Sequence, residues 1–179
     1  MWIVLIGFNA SGKTALGRRL APVTGRRFLD LDQAVATASG RSLPEIFTAA
    51  GPDGFRDLEA EVLAGQAPAV PLVVATGSGT VERATTRRLV GERGLVVWLD
   101  APWPTLRSRL APAPGTRPSP VWEHLGEKGL AALYARRRPL YAASARVRLD
   151  TAMVFEAVLV RRLLGLSLRL QSASEQVAS

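Results

Sequence analysis

Short apolar runs alternate with longer segments of helical periodicity along most of the chain. Five short runs bounded by turn residues are expected to be β-strands. They cover residues 2–6, 27–30, 72–75, 95–99 and 147–149. Between them, apolar residues recur three or four positions apart, as at Leu16 and Leu20, which predicts helices. Strands that alternate with helices in this way predict an α/β domain with a parallel sheet.

Local signals predict helix boundaries and one long loop. Ser42, with Glu45 three residues later, has the pattern of a capping box and predicts a helix start. Apolar positions at helical spacing predict a helix over residues 55–64. Four prolines between residues 111 and 120 exclude a regular element there and predict a long surface loop of the kind that often forms a lid.

The composition is that of an ordinary globular protein. The chain has 179 residues, of which 47% are hydrophobic and 21% are charged. This fits one domain over residues 1–170, followed by a short tail over residues 171–179. The absence of cysteine excludes thiolate catalysis, thiolate zinc sites and disulfide bonds.

The charge balance bears on partners and location. The net charge is +8, from 23 Lys and Arg against 15 Asp and Glu, and this suits anionic ligands such as phosphates and carboxylates. Aromatic residues are not interleaved with the arginine pairs, so nucleic acid is not an expected partner. The first strand stops at Gly7, and the apolar stretch 153–170 is interrupted by Glu156 and by arginines. We therefore expect a cytoplasmic protein that does not associate with membranes. We also expect it to be a monomer, although no residue pattern in the chain bears on its oligomeric state.

The segment that follows the first strand has the pattern of a phosphate-binding loop. It reads G-x-x-x-x-G-K-T and lies between an apolar strand and a helix, which is the context that the motif requires. Glycines allow successive backbone N–H groups to converge on phosphates, a lysine stabilises the β- and γ-oxygens, and a threonine hydroxyl binds Mg²⁺. A glycine turn that only packs a helix on a sheet would have no use for the lysine. The candidate nucleotide-binding residues are Gly7, Asn9, Ala10, Ser11, Gly12, Lys13 and Thr14.

Two carboxylates mark the end of the second strand. Asp30 and Asp32 are two residues apart, and strand geometry would place both on one side of the chain, at the edge where α/β sheets bind ligands. One could reach a metal through water, and the other could accept a hydroxyl proton or hold hydroxyls. Alternatively, one of them caps the next helix.

Several arginines could bind an anionic acceptor. Arg56 and Glu59 are three residues apart on a predicted helix, so the glutamate could orient the guanidinium, although a plain surface ion pair is the alternative. The turn Gly77–Gly79 offers backbone N–H groups to a carboxylate. Arg117 lies in the proline-rich loop, and at most two of the arginines 136–138, which precede a predicted helical break at Pro139, could face one site.

In their order and spacing, these segments resemble the shikimate kinase family over roughly residues 3–165. The resemblance is carried by Gly7–Thr14, Phe28–Asp32, Phe55–Glu59, Gly77–Gly79, Arg117–Pro118 and Arg137–Tyr141. It implies an α/β fold of the P-loop, nucleoside monophosphate kinase-like type, with three αβα layers and a five-stranded parallel sheet in the order 2-3-1-4-5. It also implies a helical substrate-binding region at about residues 31–62, a lid at about 110–122, and transfer of phosphate from ATP to shikimate, giving 3-phosphoshikimate.

The resemblance also implies a role for each nucleotide-side residue. Lys13 would stabilise the phosphates of ATP, while Thr14 directly and Asp30 through water would hold Mg²⁺. Arg117 would arrive with the lid. Arg109 is a further nucleotide-side candidate, because the family often carries an arginine at the neighbouring position, which is Leu110 here. The family's adenine loop is replaced by residues 152–155, so base contacts are expected to be apolar and weak.

On the acceptor side, Asp32 would orient the shikimate hydroxyls and is the candidate base. Arg56 and Arg137 would bind the carboxylate, with the backbone of Gly77, Ser78 and Gly79. The family turn is usually three glycines, and Ser78 therefore keeps open a kinase for another small polyol acid or cyclitol, such as gluconate. Two further alternatives are a P-loop binding module without catalysis and a nucleic-acid-associated protein.

Overall fold

The computed structural model describes residues 1–113, 116, 120–152, 158 and 160–165. These residues form one five-stranded parallel sheet in the order β2-β3-β1-β4-β5. The strands are β1 (Trp2–Ile6), β2 (Arg27–Asp30), β3 (Leu72–Ala75), β4 (Gly94–Asp100) and β5 (Val147–Asp150). The predicted strands, their parallel arrangement and their order are confirmed.

Helices cover both faces of the sheet. They are α1 (Lys13–Val23), α2 (Leu31–Ser39), α3 (Leu43–Ala64), α4 (Ala84–Arg93), α5 (Trp103–Leu110) and α6 (Pro120–Ser144), with a 3-10 turn at Thr80–Glu82. Residues 160–165 are also helical. Among the helices in the described part of the chain, none combines the length and the apolar character needed to cross a bilayer.

Strand β1 shows why the sheet is covered on both sides. All five of its residues are buried, and successive side chains point to opposite faces. Trp2, Val4 and Ile6 pack in a core with residues from α2 to α6, whereas Ile3 and Leu5 pack with α1 and the helical residues near 163. A strand buried on both faces is continuously apolar, which is the pattern that the sequence shows.

Helix α3 combines the two predicted segments around a kink. Glu45 accepts the backbone N–H of Ser42 at 2.7 Å, so the predicted capping box is present. The helix is interrupted at Gly51, whose φ of 66° lies in the left-handed region, and it then continues to Ala64.

The predicted helical break at Pro139 is absent from helix α6. The chain does not break at Pro139 but stays helical from residue 127 to Ser144, and the non-helical residue lies earlier, at Gly126. The proline lacks one N–H donor, but Arg137 and Tyr141 on either side of it are buried and anchor the helix to the rest of the domain. Tertiary contacts therefore outweigh the local cost of the proline.

Some predicted segments lie wholly or partly outside the described residues. Residues 114–115 and 117–119 belong to the predicted lid, and residues 171–179 belong to the predicted tail. The division into a domain at 1–170, a substrate-binding region and a lid stays a prediction.

Candidate active site

One cavity of about 470 Å³ opens at the carboxyl end of the sheet. Its wall brings the phosphate-binding loop together with residues from α2, from the glycine-rich turn after β3 and from the ends of α5 and α6. The lining residues are Asn9, Ala10, Gly12, Lys13, Thr14, Ala15, Asp30, Asp32, Thr76, Ser78, Leu110 and Val121. The phosphate-binding loop and the candidate acceptor residues Asp32 and Ser78 thus line the same cavity.

The loop between β1 and α1 has the backbone of a phosphate cradle. Gly7 and Gly12 have φ angles of 147° and 96°, and Ala10 has a φ of 60°. A Cβ at Gly7 would lie 2.6 Å from the carbonyl oxygen of Leu99, so the first glycine is required by close approach as well as by its φ. The Oγ of Ser11 is buried and has no hydrogen-bond partner among the described residues, which leaves it available to a ligand in the cradle.

Lys13 begins α1 and lies over this loop. Its Nζ donates to the carbonyl oxygens of Gly7 at 3.0 Å and Phe8 at 2.8 Å. Burial lowers the pKa of Lys13 to about 8, although the charges of Asp32 and Asp30 act in the opposite direction. An anion placed in the cradle would give this ammonium a strong partner and favour its charged form.

Thr14 and Asp30 provide the oxygens of a candidate metal site. The Thr14 hydroxyl donates to Oδ2 of Asp30 at 2.9 Å, and both residues line the cavity. No cluster of three or more metal-binding side chains occurs in the described part of the chain. A threonine hydroxyl and one carboxylate nevertheless fit Mg²⁺, because this ion keeps several waters and takes further oxygens from substrate phosphates.

Asp30 and Asp32 both line the cavity, but strand geometry is not what places them there. Strand β2 ends at Asp30, which caps α2 by accepting the N–H of Gln33, and Asp32 lies in the first helical turn. The prediction that strand periodicity aligns them is therefore wrong. They both line the cavity because the N-terminus of α2 faces it.

Asp32 has the properties of a candidate base. Burial, followed by the negative charge of Glu59, raises the pKa of Asp32 to about 6, and the positive charges of Lys13 and Arg56 oppose this effect. The carboxylate is therefore more basic than an ordinary aspartate and still mostly ionised at neutral pH.

Arg56 and Glu59 form a buried ion pair rather than a surface pair. Nη1 of Arg56 donates to Oε2 of Glu59, and the two residues are 8% and 1% exposed. The other oxygen of Glu59 accepts the hydroxyl of Thr80. The guanidinium also lies over the ring of Phe55, at 5.2 Å from its centroid. The alternative of a solvated ion pair is wrong, and the predicted orienting role for Glu59 fits this geometry.

Charged side chains crowd the two outer residues of the glycine-rich turn, and a Cβ at either position would displace them. A Cβ at Gly77 would lie 2.4 Å from Oε1 of Glu59 and 2.8 Å from Oδ1 of Asp32. A Cβ at Gly79 would lie 2.0 Å from Nη2 of Arg56 and 2.7 Å from Nη2 of Arg137. The turn is therefore packed directly against two carboxylates and two guanidinium groups.

Arg137 reaches the same turn from α6. Its Nη1 donates to Oγ of Ser78 at 3.1 Å, and its Nη2 donates to Oε2 of Glu82 at 2.9 Å. Burial alone would raise the pKa of Glu82, but the hydrogen bond and charge of Arg137, with the charges of Arg56 and Arg136, lower it overall. Glu82 was not among the predicted site residues, although an acidic residue just after the glycine-rich turn could have indicated it.

The remaining arginines take different positions. Arg109 donates to the carbonyl oxygens of Ala10 at 3.2 Å and Thr151 at 2.8 Å, so it ties the phosphate-binding loop to the end of β5. Arg138 is directed to Asp100, at 3.5 Å, away from the turn. Arg117, the predicted lid residue, lies outside the described residues.

Most of the chain is similar to one known protein family. Residues 9–164 match the family model described as Shikimate kinase. The chain belongs to the shikimate kinase family. A curated shikimate kinase from Symbiobacterium thermophilum is 45% identical over 152 residues, which is 84% of this chain and 87% of the relative.

Solved structures agree with the family and with the fold. A shikimate kinase from Acinetobacter baumannii in complex with shikimate has a TM-score of 0.83 and 33% sequence identity, covering 94% of this chain and 93% of that chain. A gluconokinase from Sinorhizobium meliloti has a TM-score of 0.60 at 18% identity, covering 99% of this chain and 97% of that chain. The second similarity extends to the fold alone, so this shikimate kinase family member shares an architecture with kinases of other substrates.

Proposed function

We propose that this protein transfers the γ-phosphoryl group of ATP to the 3-hydroxyl of shikimate, giving 3-phosphoshikimate and ADP. The observation that carries the proposal is the shared cavity, whose wall contains Lys13 and Thr14 together with Asp32 and Ser78. Directly behind Ser78 and Gly79 are the guanidinium groups of two buried arginines, which suit an acceptor that carries both hydroxyls and a carboxylate.

The nucleotide side uses the loop before α1. Its backbone N–H groups and the N-terminus of α1 bind the phosphates, and Lys13 leaves its two carbonyl partners to neutralise charge on the transferring group. Thr14 and Asp30 would hold Mg²⁺, which supplies charge neutralisation on the β- and γ-phosphate oxygens when it is bound.

The acceptor side uses Arg56 and Arg137. Both guanidinium groups lie against Gly79, and each is already oriented by a glutamate, Glu59 for Arg56 and Glu82 for Arg137. A planar guanidinium that is held in place can bind a carboxylate with two parallel hydrogen bonds. We propose that these two residues bind the carboxylate of shikimate and thereby direct its ring hydroxyls toward Asp32.

Asp32 orients the reacting hydroxyl and accepts its proton. As the new bond forms between the hydroxyl oxygen and the γ-phosphorus, the bond from that phosphorus to the bridging oxygen of ADP breaks, and the hydroxyl proton moves to the carboxylate of Asp32. A pKa of about 6 makes this carboxylate a better proton acceptor than an ordinary aspartate while it is still ionised at neutral pH.

Two nucleotide-side assignments complete the proposal. Arg109 positions the phosphate-binding loop through the carbonyl of Ala10 and contacts the end of β5, on the side where the base would lie. Arg117 closes over the transferring phosphate as part of the lid, a role that stays a prediction.

A coupled ADP-release assay tests the function. The purified protein is given ATP, Mg²⁺ and, in separate reactions, shikimate, quinate or gluconate. We expect shikimate to give a kcat/KM at least tenfold higher than either other acceptor. A preference for gluconate or quinate would support the polyol acid alternative, and no acceptor-dependent ADP release would support a binding module without catalysis.

Further expectations are testable on the same protein. We propose that it works in the cytoplasm as a monomer and without nucleic acid. Light scattering gives its mass in solution. A steep dependence of DNA binding on salt concentration would contradict the last of these expectations.

A further inference from the structure

The middle residue of the glycine-rich turn differs from its neighbours in its backbone. Ser78 keeps a negative φ, since Ala10 is the one residue other than glycine with a positive φ in the described part of the chain. Gly77 and Gly79 have no room for a Cβ, whereas Ser78 is accommodated with its side chain at the cavity wall. The backbone therefore allows a side chain at this position.

Ser78 is attached to α6 through two groups. Its Oγ accepts a hydrogen bond from Nη1 of Arg137 at 3.1 Å, and its backbone oxygen accepts the hydroxyl of Tyr141. Arg137 and Tyr141 are four residues apart and lie on the same face of α6. Ser78 therefore makes two hydrogen bonds from the turn after β3 to α6, and one of them uses the serine hydroxyl.

The guanidinium of Arg137 is held from two sides. While Nη1 bonds to Ser78, Nη2 bonds to Glu82 at 2.9 Å. The side chain is 8% exposed, and its buried Nε has no hydrogen-bond partner among the described residues. Two anchors on different nitrogens fix the plane of the group more firmly than Glu82 alone, which holds only Nη2.

We infer that Ser78 is a positioning residue for Arg137: its hydroxyl, opposite Glu82, sets the orientation in which Arg137 receives the carboxylate of the acceptor. This inference rests on the proposed function. An arginine side chain that is ordered before the substrate arrives loses less conformational freedom on binding, so the acceptor binds more tightly. The effect belongs to acceptor binding, and the transfer of phosphate at saturating acceptor depends on other groups.

The test is a double-mutant cycle between Ser78 and Arg137. Ser78→Ala and Ser78→Gly are expected to raise the KM for shikimate about three- to tenfold, as expected for the loss of one hydrogen bond, while kcat changes by less than about twofold. In an Arg137→Met background, Ser78→Ala is expected to leave kcat/KM for shikimate unchanged, because the group that it positions is gone. Ser108→Ala is the matched control, since its exposed hydroxyl bonds only within α5.

The carboxamide of shikimate separates this role from a general effect on folding. It lacks the negative charge that Arg137 binds, so Ser78→Ala is expected to change its kcat/KM much less than that of shikimate. Melting temperatures of all variants are measured in parallel. A KM for shikimate that is unchanged or lower in Ser78→Ala would overturn the inference, as would an equal change in both Arg137 backgrounds. If the parent protein does not phosphorylate shikimate at all, the proposed function itself is wrong, and the inference fails with it.

Discussion

Arg56 and Glu59, one turn apart on α3, form an ion pair whose members are 8% and 1% exposed. Pairs at this spacing usually lie on helix surfaces, where they contribute little to stability. Here the pair is covered by the glycine-rich turn, and the same glutamate raises the pKa of Asp32. One buried carboxylate thus links the orientation of Arg56, the proposed carboxylate-binding arginine, to the basicity of the candidate base Asp32.

Removing Glu59 is expected to lower the stability of the protein. Glu59→Ala leaves the buried guanidinium of Arg56 without its main partner, which is expected to lower the free energy of unfolding by about 3–5 kcal/mol. Chemical denaturation of the purified variant measures this loss. Glu92→Ala is the control, because its pair with Arg88 is exposed and is expected to contribute less than about 1 kcal/mol. Equal losses in the two variants would contradict the importance of the buried pair.

The ionised form of Asp32, the candidate base, is expected to lower the free energy of unfolding. Its pKa is about 6 in the folded protein against 3.8 for the ordinary group, so the folded state holds the proton more tightly than the unfolded state. The cost of ionising it is fully present above pH 6 and disappears as the pH falls toward 4. Asp32→Asn is therefore expected to raise the free energy of unfolding by about 1–3 kcal/mol at pH 7.5 and by less at pH 5, while turnover is lost. A variant that is less stable than the parent at pH 7.5 would contradict this account.

The pH dependence of the parent follows from the same two groups. Asp32 must be ionised to accept a proton, so kcat/KM is expected to fall below about pH 6, the pKa of its carboxyl. Lys13 must be charged to bind phosphates, so kcat/KM is expected to fall above about pH 8, the pKa of its ammonium. Steady-state rates between pH 5 and 9.5 measure both limbs. Glu59→Gln is expected to move the acid limb to lower pH, because a negative charge near Asp32 is removed, and an unmoved limb would argue against Asp32 as the titrating group.

Lys13 and Lys128 are the two lysines of the chain, and they offer a matched comparison. Lys13→Met is expected to lower kcat about 100-fold or more, equivalent to about 3 kcal/mol of transition-state stabilisation, because charge on the transferring phosphate is no longer neutralised. Lys128 is exposed on α6, and Lys128→Met is expected to keep the parental rate. Initial rates of both variants are measured at saturating ATP and shikimate. Similar rates for the two variants would contradict the role of Lys13.

Gly79→Ala tests the packing of the turn against the arginines. The added methyl would displace the guanidinium groups of Arg56 and Arg137, so the KM for shikimate is expected to rise about 10- to 100-fold. Gly91→Ala, on α4, is the control, because no atom lies within 4 Å of the added Cβ, and it is expected to stabilise the helix by up to about 1 kcal/mol. An unchanged KM in Gly79→Ala would mean that neither guanidinium binds the acceptor at this turn.

Most of the fold could be predicted because its signals are local. A buried parallel strand such as β1 is continuously apolar, and the capping box at Ser42 satisfies backbone groups within one turn. The prediction of a helical break failed at Pro139. The helix continues there because Arg137 and Tyr141 are buried, and the local sequence does not indicate that burial. Prediction also failed on the alignment of Asp30 and Asp32, because the strand ends at Asp30 and Asp32 already lies in the first turn of α2.

In the candidate site, too, some features could be predicted from the sequence and others could not. The phosphate-binding loop is contiguous in sequence and could be recognised from its spacing. The partners of Arg137 could not, because Ser78 and Glu82 are more than fifty residues away and meet it only when α6 packs on the turn. The burial of the pair Arg56–Glu59 likewise depends on that packing, so the sequence left a surface pair open as an alternative.

The most direct test is a crystal structure of the protein with shikimate and a non-hydrolysable ATP analogue bound together. The account predicts that the shikimate carboxylate lies within about 3 Å of the guanidinium nitrogens of Arg56 and Arg137, and that a ring hydroxyl lies at hydrogen-bond distance from the carboxylate of Asp32 and faces the γ-phosphate. A bound shikimate whose carboxylate points away from both arginines, or whose hydroxyls are separated from Asp32, would contradict it.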